Sequence, residues 1–361
     1  MQTFPISKSL QRLGNIAIFG LKMKYVTIKD IAASLSLSVS TVSRALSGDK
    51  NIRDETRAKV IAAAEEMGYR HNAAAASLKT GRTSTVGVIV PEMWSEYTIQ
   101  VIRGIQSILY PYGVKVIIAD SNEDPAQEKE NIMMMERFMV DGLIVGLCSY
   151  LHNMDEFRRL QNDNLPLAFF GRIPHGLEVS QVLVDDYAKS FFIVEKLILS
   201  GRRKICHIHG PKRVYNAVER ARGYRDALAK YNIPFESSLQ IYSRITRNDG
   251  ANAVDQLIDS GTDFDAIFAF TEAQAIGALG RLRQRGLRVP EDVAVSCFSG
   301  SVLSEVVTPQ LTSVEPPMFE IGQTLAQLLI EQIKNPSAEP RTVVLNAEIK
   351  MRESTGDNSN L

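Results

Sequence analysis

The stretch Val26–Leu46, VTIKDIAASLSLSVSTVSRAL, constrains this chain most, because it holds two short helical periodicities separated by a turn. Ile28, Ile31, Ala32 and Leu35 keep the i, i+3, i+4, i+7 spacing of one buried helical face. Thr27 stands where an N-cap belongs, and Asp30 three residues on makes a relative of the capping box. A second helix is expected to start from Ser38 as N-cap and to bury Val42, Ala45 and Leu46. Its other face then shows Val39, Ser40, Thr41, Ser43 and Arg44. Small hydrogen-bonding groups keep such a helix close to a groove floor, and one guanidinium reaches a guanine edge. An ordinary helical hairpin with a Ser/Thr-rich solvent face has the same pattern, so the choice between them rests on the rest of the chain.

The charge distribution favours a polyanionic partner. Residues 1–82 carry 13 Lys/Arg against 6 Asp/Glu, and the remainder carries 28 against 35, although the whole chain is neutral. A basic head on an acidic body suits a chain whose N-terminal part meets nucleic acid while the body stays off it. A length of 361 residues implies two to three domains, and no stretch approaches the ~18 consecutive apolar residues of a membrane span. Residues 1–23 are expected to be a disordered or mis-assigned extension, with Met23 a possible start, since the apolar patch Ile16–Leu21 is too short for a signal segment. Cys148, Cys206 and Cys297 are scattered, which argues against a disulfide framework or clustered metal and points to the cytoplasm. No phosphate loop, dinucleotide fingerprint or nucleophile elbow occurs. His207 and His209 alternate on a strand without a third ligand nearby and read as structural. The expectation is therefore no catalytic residue, no metal and no cofactor.

A third helix follows the SGDKN turn. Asp54 and Glu55 sit in its first turn, Ala58, Ile61, Ala62 and Glu65 continue the register, Val60, Ala64 and Met67 complete an apolar stripe, and Gly68 closes it. Three helices in about 45 residues make a minimal bundle that needs help from a partner. The next run, HNAAAASLKTGRTS, has high helix propensity but no wide apolar face. Taken together, VTIKDIA, STVSRAL, TRAKVIAAAEEMGY, then Asn72 and Leu78 ahead of the strand VGVIVP, resemble the lactose-repressor (LacI/GalR) family of transcription factors, from about Val26 to Arg352. The resemblance implies that Asn72–Lys79 is a hinge helix that folds on operator DNA and pairs with its dimer twin in the minor groove. Leu78 matches the leucine that wedges into the central base step, where an apolar wedge unstacks and kinks the duplex. The DNA-contacting positions implied are Thr27, Ser38, Val39, Ser40, Thr41, Ser43, Arg44, Asn72 and Leu78. Two residues depart from the pattern: Ser36 replaces the usual turn glycine, and Arg53 replaces a frequent Ser/Thr N-cap.

From Val86 the chain alternates apolar strands with helices. VGVIV, VKVIIA, GLIVGL and PLAFF read as buried parallel strands, and Met133, Met134 and Met135 as core filler. KICHIHG, SLQIYS, FDAIFAF and DVAVSCF form a second series. The expected fold is a small all-α helix-turn-helix head (24–70), a hinge and linker (71–84), and an α/β two-lobed body (85–353) of doubly wound parallel sheets. Its periplasmic-binding-protein-like crossing topology is implied by the resemblance. Lobe 1 is expected at about 85–184 and 318–339, lobe 2 at about 185–314 and 340–353, with a tail at 354–361.

Ligands of such folds bind at the carboxyl ends of strands. Candidates are Trp94, Ser95, Tyr97, Thr98, Gly171 and Arg172 from the first lobe, and Asn216, Arg220, Thr271, Glu272, Phe298 and Ser299 from the second. Arg220 matches the family's effector-binding arginine, and its fork suits vicinal hydroxyls or a carboxylate. Gly171, Thr271-Glu272 and Cys297-Phe298-Ser299 stand where the family often has aspartates that grip sugar hydroxyls. Their loss argues against a simple neutral hexose and leaves room for a sugar acid, a phosphorylated sugar, a purine-like ligand or control by a protein partner. The function implied is a cytoplasmic homodimeric regulator, a repressor of carbohydrate genes, that binds a pseudo-palindromic double-stranded operator under the control of a carbohydrate-derived effector. The alternative is a periplasmic-type solute-binding protein without a DNA function.

Overall fold

The computed structural model describes residues 26–69, 82–149, 151–212 and 214–356. They fall into two units divided after Lys79. The expected N-terminal extension, the hinge residues Asn72 and Leu78, and the end of the tail lie outside the described residues.

The head consists of α1 (Ile28–Leu35), α2 (Val39–Leu46) and α3 (Asp54–Glu66). Thr27 and Asp30 form a complete capping box: the Asp30 amide donates to the Thr27 hydroxyl, and the Asp30 carboxylate accepts from the Thr27 amide at 2.7 Å. Ser36 takes the left-handed conformation expected of the missing glycine, with φ 53°, and so turns the chain into α2. Ser38 caps α2 by accepting from the Thr41 amide at 3.0 Å. Arg53 gives α3 no side-chain cap, and Gly68 ends that helix at φ +67°. Ile31, Ala32, Val42, Ala45, Val60 and Ala64 make the small core.

The body contains two six-stranded sheets. The first runs β11 (Thr342–Leu345), β5 (Ser180–Val184), β4 (Leu167–Phe170), β3 (Gly142–Val145), β1 (Thr85–Val90), β2 (Lys115–Asp120), all parallel. Val86, Val88 and Val90 face α4 (Glu96–Leu109) and α12 (Met318–Lys334). Ile89 and neighbours face α5 (Pro125–Arg137) and α6 (Met154–Asn162). Both faces are covered, which is why these strands read as continuous apolar runs. The second sheet runs β12 (Glu348–Lys350), β10 (Thr312–Glu315), β9 (Ala294–Phe298), β8 (Ala266–Ala269), β6 (Ile205–His209), β7 (Gln240–Tyr242). Only β12 is antiparallel. The helices α7 (Asp186–Leu199) and α8 (Tyr215–Lys230) cover one face, and α9 (Arg247–Asp259) and α10 (Glu272–Gln284) cover the other. A short α11 (Leu303–Val306) precedes β10.

The chain crosses between lobes three times, at Asp185, at Pro316–Pro317 and at Asn346–Ala347. The expected lobe boundaries need one correction. The RTVVL segment does not end on the second lobe: β11 pairs with β5 from Thr342↔Gln181 to Leu345↔Val184, and Val343 and Leu345 pack on the first core. A short, mostly apolar edge strand carries no mark of which sheet it joins, and the two-residue link to β12 hides the crossing. Buried Arg352 then ties the chain end to the second lobe through Glu315 and Glu305.

Two features of the core yield tests. Helices α4 and α12 touch backbone to backbone, because a Cβ on Gly104 would overlap the Phe319 carbonyl and one on Gly322 would overlap that of Val101. Gly322→Ala should destabilise the body by about 1–3 kcal/mol or more, seen as a lower denaturant midpoint. His207 is fully buried, stacked on Phe268 with ring centroids 4.9 Å apart, and its Nδ1 donates to the Phe268 carbonyl at 3.0 Å. Burial, helped by His209, pulls its pKa from 6.5 down to about 3. Below pH 6.5 the unfolded chain takes up a proton that the folded one refuses, so stability falls on acidification. Between pH 7 and pH 4.5 this residue should remove about 2–3 kcal/mol, a loss that His207→Gln should abolish in pH-dependent denaturation.

Candidate functional sites

The exposed face of α2 is the first site. Val39, Ser40 and Arg44 are exposed, Thr41 and Ser43 half-buried. The hydroxyls of Ser38, Ser40 and Thr41 cluster within 2.8 Å of one another through Ser38 Oγ. Among the described residues Arg44, Lys29, Lys50 and Arg53 pair with no carboxylate, whereas Arg57 and Lys59 are bound to Asp54 and Glu55 at 2.8 Å. The cations that shore up α3 are thus saturated, and those around α2 are available to phosphates or bases.

The second site is a cavity of about 660 Å³ at the carboxyl ends of strands from both sheets of the body. Pro91 follows β1, Gly146 follows β3, Gly171 and Arg172 follow β4, Phe270 to Glu272 follow β8, and Ser299 follows β9. Of the twelve expected residues eleven line it. Phe298 does not: it is fully buried and supports the wall from behind, its ring centroid 3.6 Å from the Arg220 guanidinium carbon.

Arg220 projects from α8 and is nearly fully buried. Its Nε donates to Asp186 at 2.7 Å, its Nη1 to the Phe270 carbonyl at 2.6 Å, and Phe270 lies on its other side at 4.4 Å. Asp186 opens α7, one residue after the Asp185 N-cap. Burial pushes the Asp186 carboxyl up to about 6 even against the guanidinium, and burial likewise pulls Arg220 down. Arg172 is held by a bidentate pair with Glu123, two bonds of 2.7 Å, and by the Leu147 carbonyl. There burial opposes the charge, but Glu123 outweighs it and keeps Arg172 above its usual value.

Several expected contact residues spend their polar atoms inside the protein. The Glu92 carboxylate accepts from the amides of Trp94 and Ser95 and from the hydroxyls of Ser95 and Thr98. Glu272 accepts from the Ser301 amide and from the Ser301 and Ser304 hydroxyls, all within 2.7 Å. Thr271 caps α10 through Gln274. Among the described residues the Tyr97 hydroxyl, the Asn216 amide, Arg220 Nη2, the Trp94 indole and the Ser299 hydroxyl have no such partner, and Asn216 Oδ1 is a buried orphan. Gly171 has φ +63°, and a Cβ there would stand 3.2 Å from the Tyr97 hydroxyl, so the residue is fitted to that ring. Ser299 is left-handed too, at φ 61°.

The sequence reading missed Glu92, Glu123 and Asp186, along with the apolar wall of Phe170, Ile245, Phe270, Ile276, Leu303 and Val307. Glu92 carried a signal, since it stands three residues before the N-cap Ser95. Glu123 carried none.

The match to known proteins follows both sites. Residues 27–72 fit the model of bacterial regulatory proteins of the lacI family, and residues 194–355 fit a periplasmic binding protein-like domain. Catabolite control protein A of Priestia megaterium is 32% identical over 91% of this chain and 99% of its own. This chain belongs to the lacI family. The HTH-type transcriptional regulator CelR of Thermobifida fusca is also 32% identical, over 91% of this chain and 98% of its own. A solved complex of transcriptional regulator CelR with cellobiose superposes with a TM-score of 0.70 at 29% identity, covering 91% of this chain and 99% of that one. As a lacI-family member the chain is a DNA-binding transcriptional regulator, which sets aside the solute-binding alternative. Among the described residues no group of three or more His, Cys, Asp or Glu is placed to hold a metal, and no helix is long and apolar enough to cross a membrane.

The Arg220–Asp186 pair gives a test. Arg220→Met should destabilise the body by roughly 3–5 kcal/mol, because Asp186 is left buried without its counter-ion. Arg220→Met with Asp186→Leu should lose much less, a difference read from paired denaturation curves.

Proposed function

We propose that this regulator represses its genes as a homodimer on a pseudo-palindromic operator, with α2 in the major groove and a carbohydrate-derived effector in the interlobe cavity. The observation that carries the DNA assignment is the exposed Arg44, paired with no carboxylate among the described residues, on a helix face otherwise made of Val39 and small hydroxyl residues. Arg44 reads a base edge, the hydroxyls of Thr27, Ser38, Ser40, Thr41 and Ser43 position the helix, and Lys29, Lys50 and Arg53 meet phosphates. One head offers too few contacts for operator affinity, so two act together. Asn72 and Leu78 contribute the minor-groove contact that the family resemblance implies. A carbohydrate effector is supported by the cellobiose complex of CelR and by the uncommitted Tyr97, Asn216 and Arg220 groups of the cavity. The effector needs only to bind one closure state of the lobes better than the other to shift operator affinity. The protein works by binding, not catalysis, in the compartment that holds the genome.

Arg44→Ala should weaken binding to the operator by about 10- to 100-fold, the value of one bidentate base contact of about 1–3 kcal/mol. Binding to random duplex should fall far less, and ligand-induced thermal shifts should stay as in the wild type. An unchanged gel-shift affinity for the operator would refute the assignment.

A further inference from the structure

We infer that the interlobe cavity selects an uncharged glycoside of roughly two-ring size and turns away phosphorylated and acidic sugars. The inference deepens the effector reading above and rests on it. A volume of about 660 Å³ falls within the range of about 300–1,000 Å³ that encloses drug-sized ligands.

The charge arrangement decides against an anion. Two guanidinium groups reach the wall from the interior, Arg172 and Arg220, and each is cancelled at 2.7 Å by a carboxylate, Glu123 or Asp186, that does not itself line the cavity. The wall also carries two buried carboxylates, Glu92 and Glu272, that pair with no cation among the described residues and rest on amide and hydroxyl donors alone. Arg247 is the single lining cation without a carboxylate partner among the described residues, and it is exposed, opposite the half-buried Glu96 in the balance. A phosphate or carboxylate carried inside would give up its water, find the two buried guanidinium groups already paired and stand near two negative charges, with the one unpaired cation among the described lining residues, Arg247, lying at the exposed part of the wall.

What the wall does offer is neutral. Asn216 Oδ1 is a buried acceptor in want of a donor, which a sugar hydroxyl supplies. The Tyr97 and Ser299 hydroxyls can give or accept, and Arg220 Nη2 can give. Much of the remaining surface is hydrocarbon and indole, from Trp94, Ile245, Ile276, Leu303 and Val307. Such a wall suits the C–H face of a pyranose or an aryl aglycone. Two kinds of surface in one enclosure fit a ligand that has both.

The test uses the full chain and matched probes. Neutral disaccharides and 4-nitrophenyl glycosides are titrated by calorimetry beside their 6-phosphates or uronic acid counterparts. At least one neutral member should bind tenfold or more tightly than its charged counterpart, with an affinity that changes less than twofold between 50 and 300 mM salt. Tighter binding by a charged member, or no binding by any pair, overturns the inference. Glu123→Gln leaves Arg172 unbalanced and should shift the ratio of charged to neutral affinity about tenfold toward the charged member. An unmoved preference in that folded variant also overturns it, and if the variant does not fold the wild-type pairs decide. Operator binding measured in parallel separates the two readings. A neutral glycoside that binds without altering operator affinity defeats the effector reading alone, whereas a sugar phosphate that alters it defeats the selectivity alone.

Discussion

The Arg220–Asp186 pair joins the first turn of α7 to α8 and, through the Phe270 carbonyl and the rings of Phe270 and Phe298, to the ends of two neighbouring strands. A buried ion pair of this kind adds little net stability, since removing both charges from water costs about what their attraction returns. Burial shifts both partners toward their neutral forms, which is the same statement in another measure. Its contribution is therefore positional. One guanidinium face is pressed between aromatic rings, two of its nitrogens are consumed, and the third is left for whatever enters the cleft. Glu123 and Arg172 repeat the arrangement from the first lobe.

Head and body follow one rule in how they use charge. In the head Arg57 and Lys59 are tied to neighbouring carboxylates, while Arg44 is tied to none among the described residues. In the body the two buried arginines of the cavity, Arg172 and Arg220, are paired, and among the described residues its unmet hydrogen-bonding capacity is carried by Tyr97, Asn216, Ser299, the Trp94 indole and the one remaining nitrogen of Arg220. A polyelectrolyte is met by bare cations, which gain from releasing its counterions. A small ligand in a cleft is met by dipoles, which do not demand that it bring a charge. The two surfaces are specialised for opposite kinds of partner.

Most of the architecture was legible because local signals agreed with the global fold. Thr27, Ser38 and Gly68 mark helix ends with their own side chains or lack of one, and the parallel strands stand out as unbroken apolar runs. The helices α6 and α9 did not stand out. MDEFRRLQN hides one short stripe, Phe157 and Leu160, among charges, and RNDGANAVDQLID carries a mid-helix glycine that propensity counts against. The strand TSVE is mostly polar although its first three residues are buried. At the cavity, residue positions were legible but their duties were not. Ser95, Thr98 and Glu272 line the cavity, and their polar atoms also hold its wall together. Such partnerships link groups far apart in the chain, such as Glu123 with Arg172, and no spacing rule announces them.

The three interlobe crossings also govern the order in which the molecule can be completed during synthesis. The first lobe lacks a covering helix and an edge strand until α12 and β11 are made, and the second lacks β12 until a few residues later. A ribosome that has translated through Val314 thus displays two unfinished sheets at once, with the β5 edge bare and the α4 face of the first core unshielded. The nascent chain must stay unaggregated through that interval, and both lobes then close nearly together, from the same last few dozen residues.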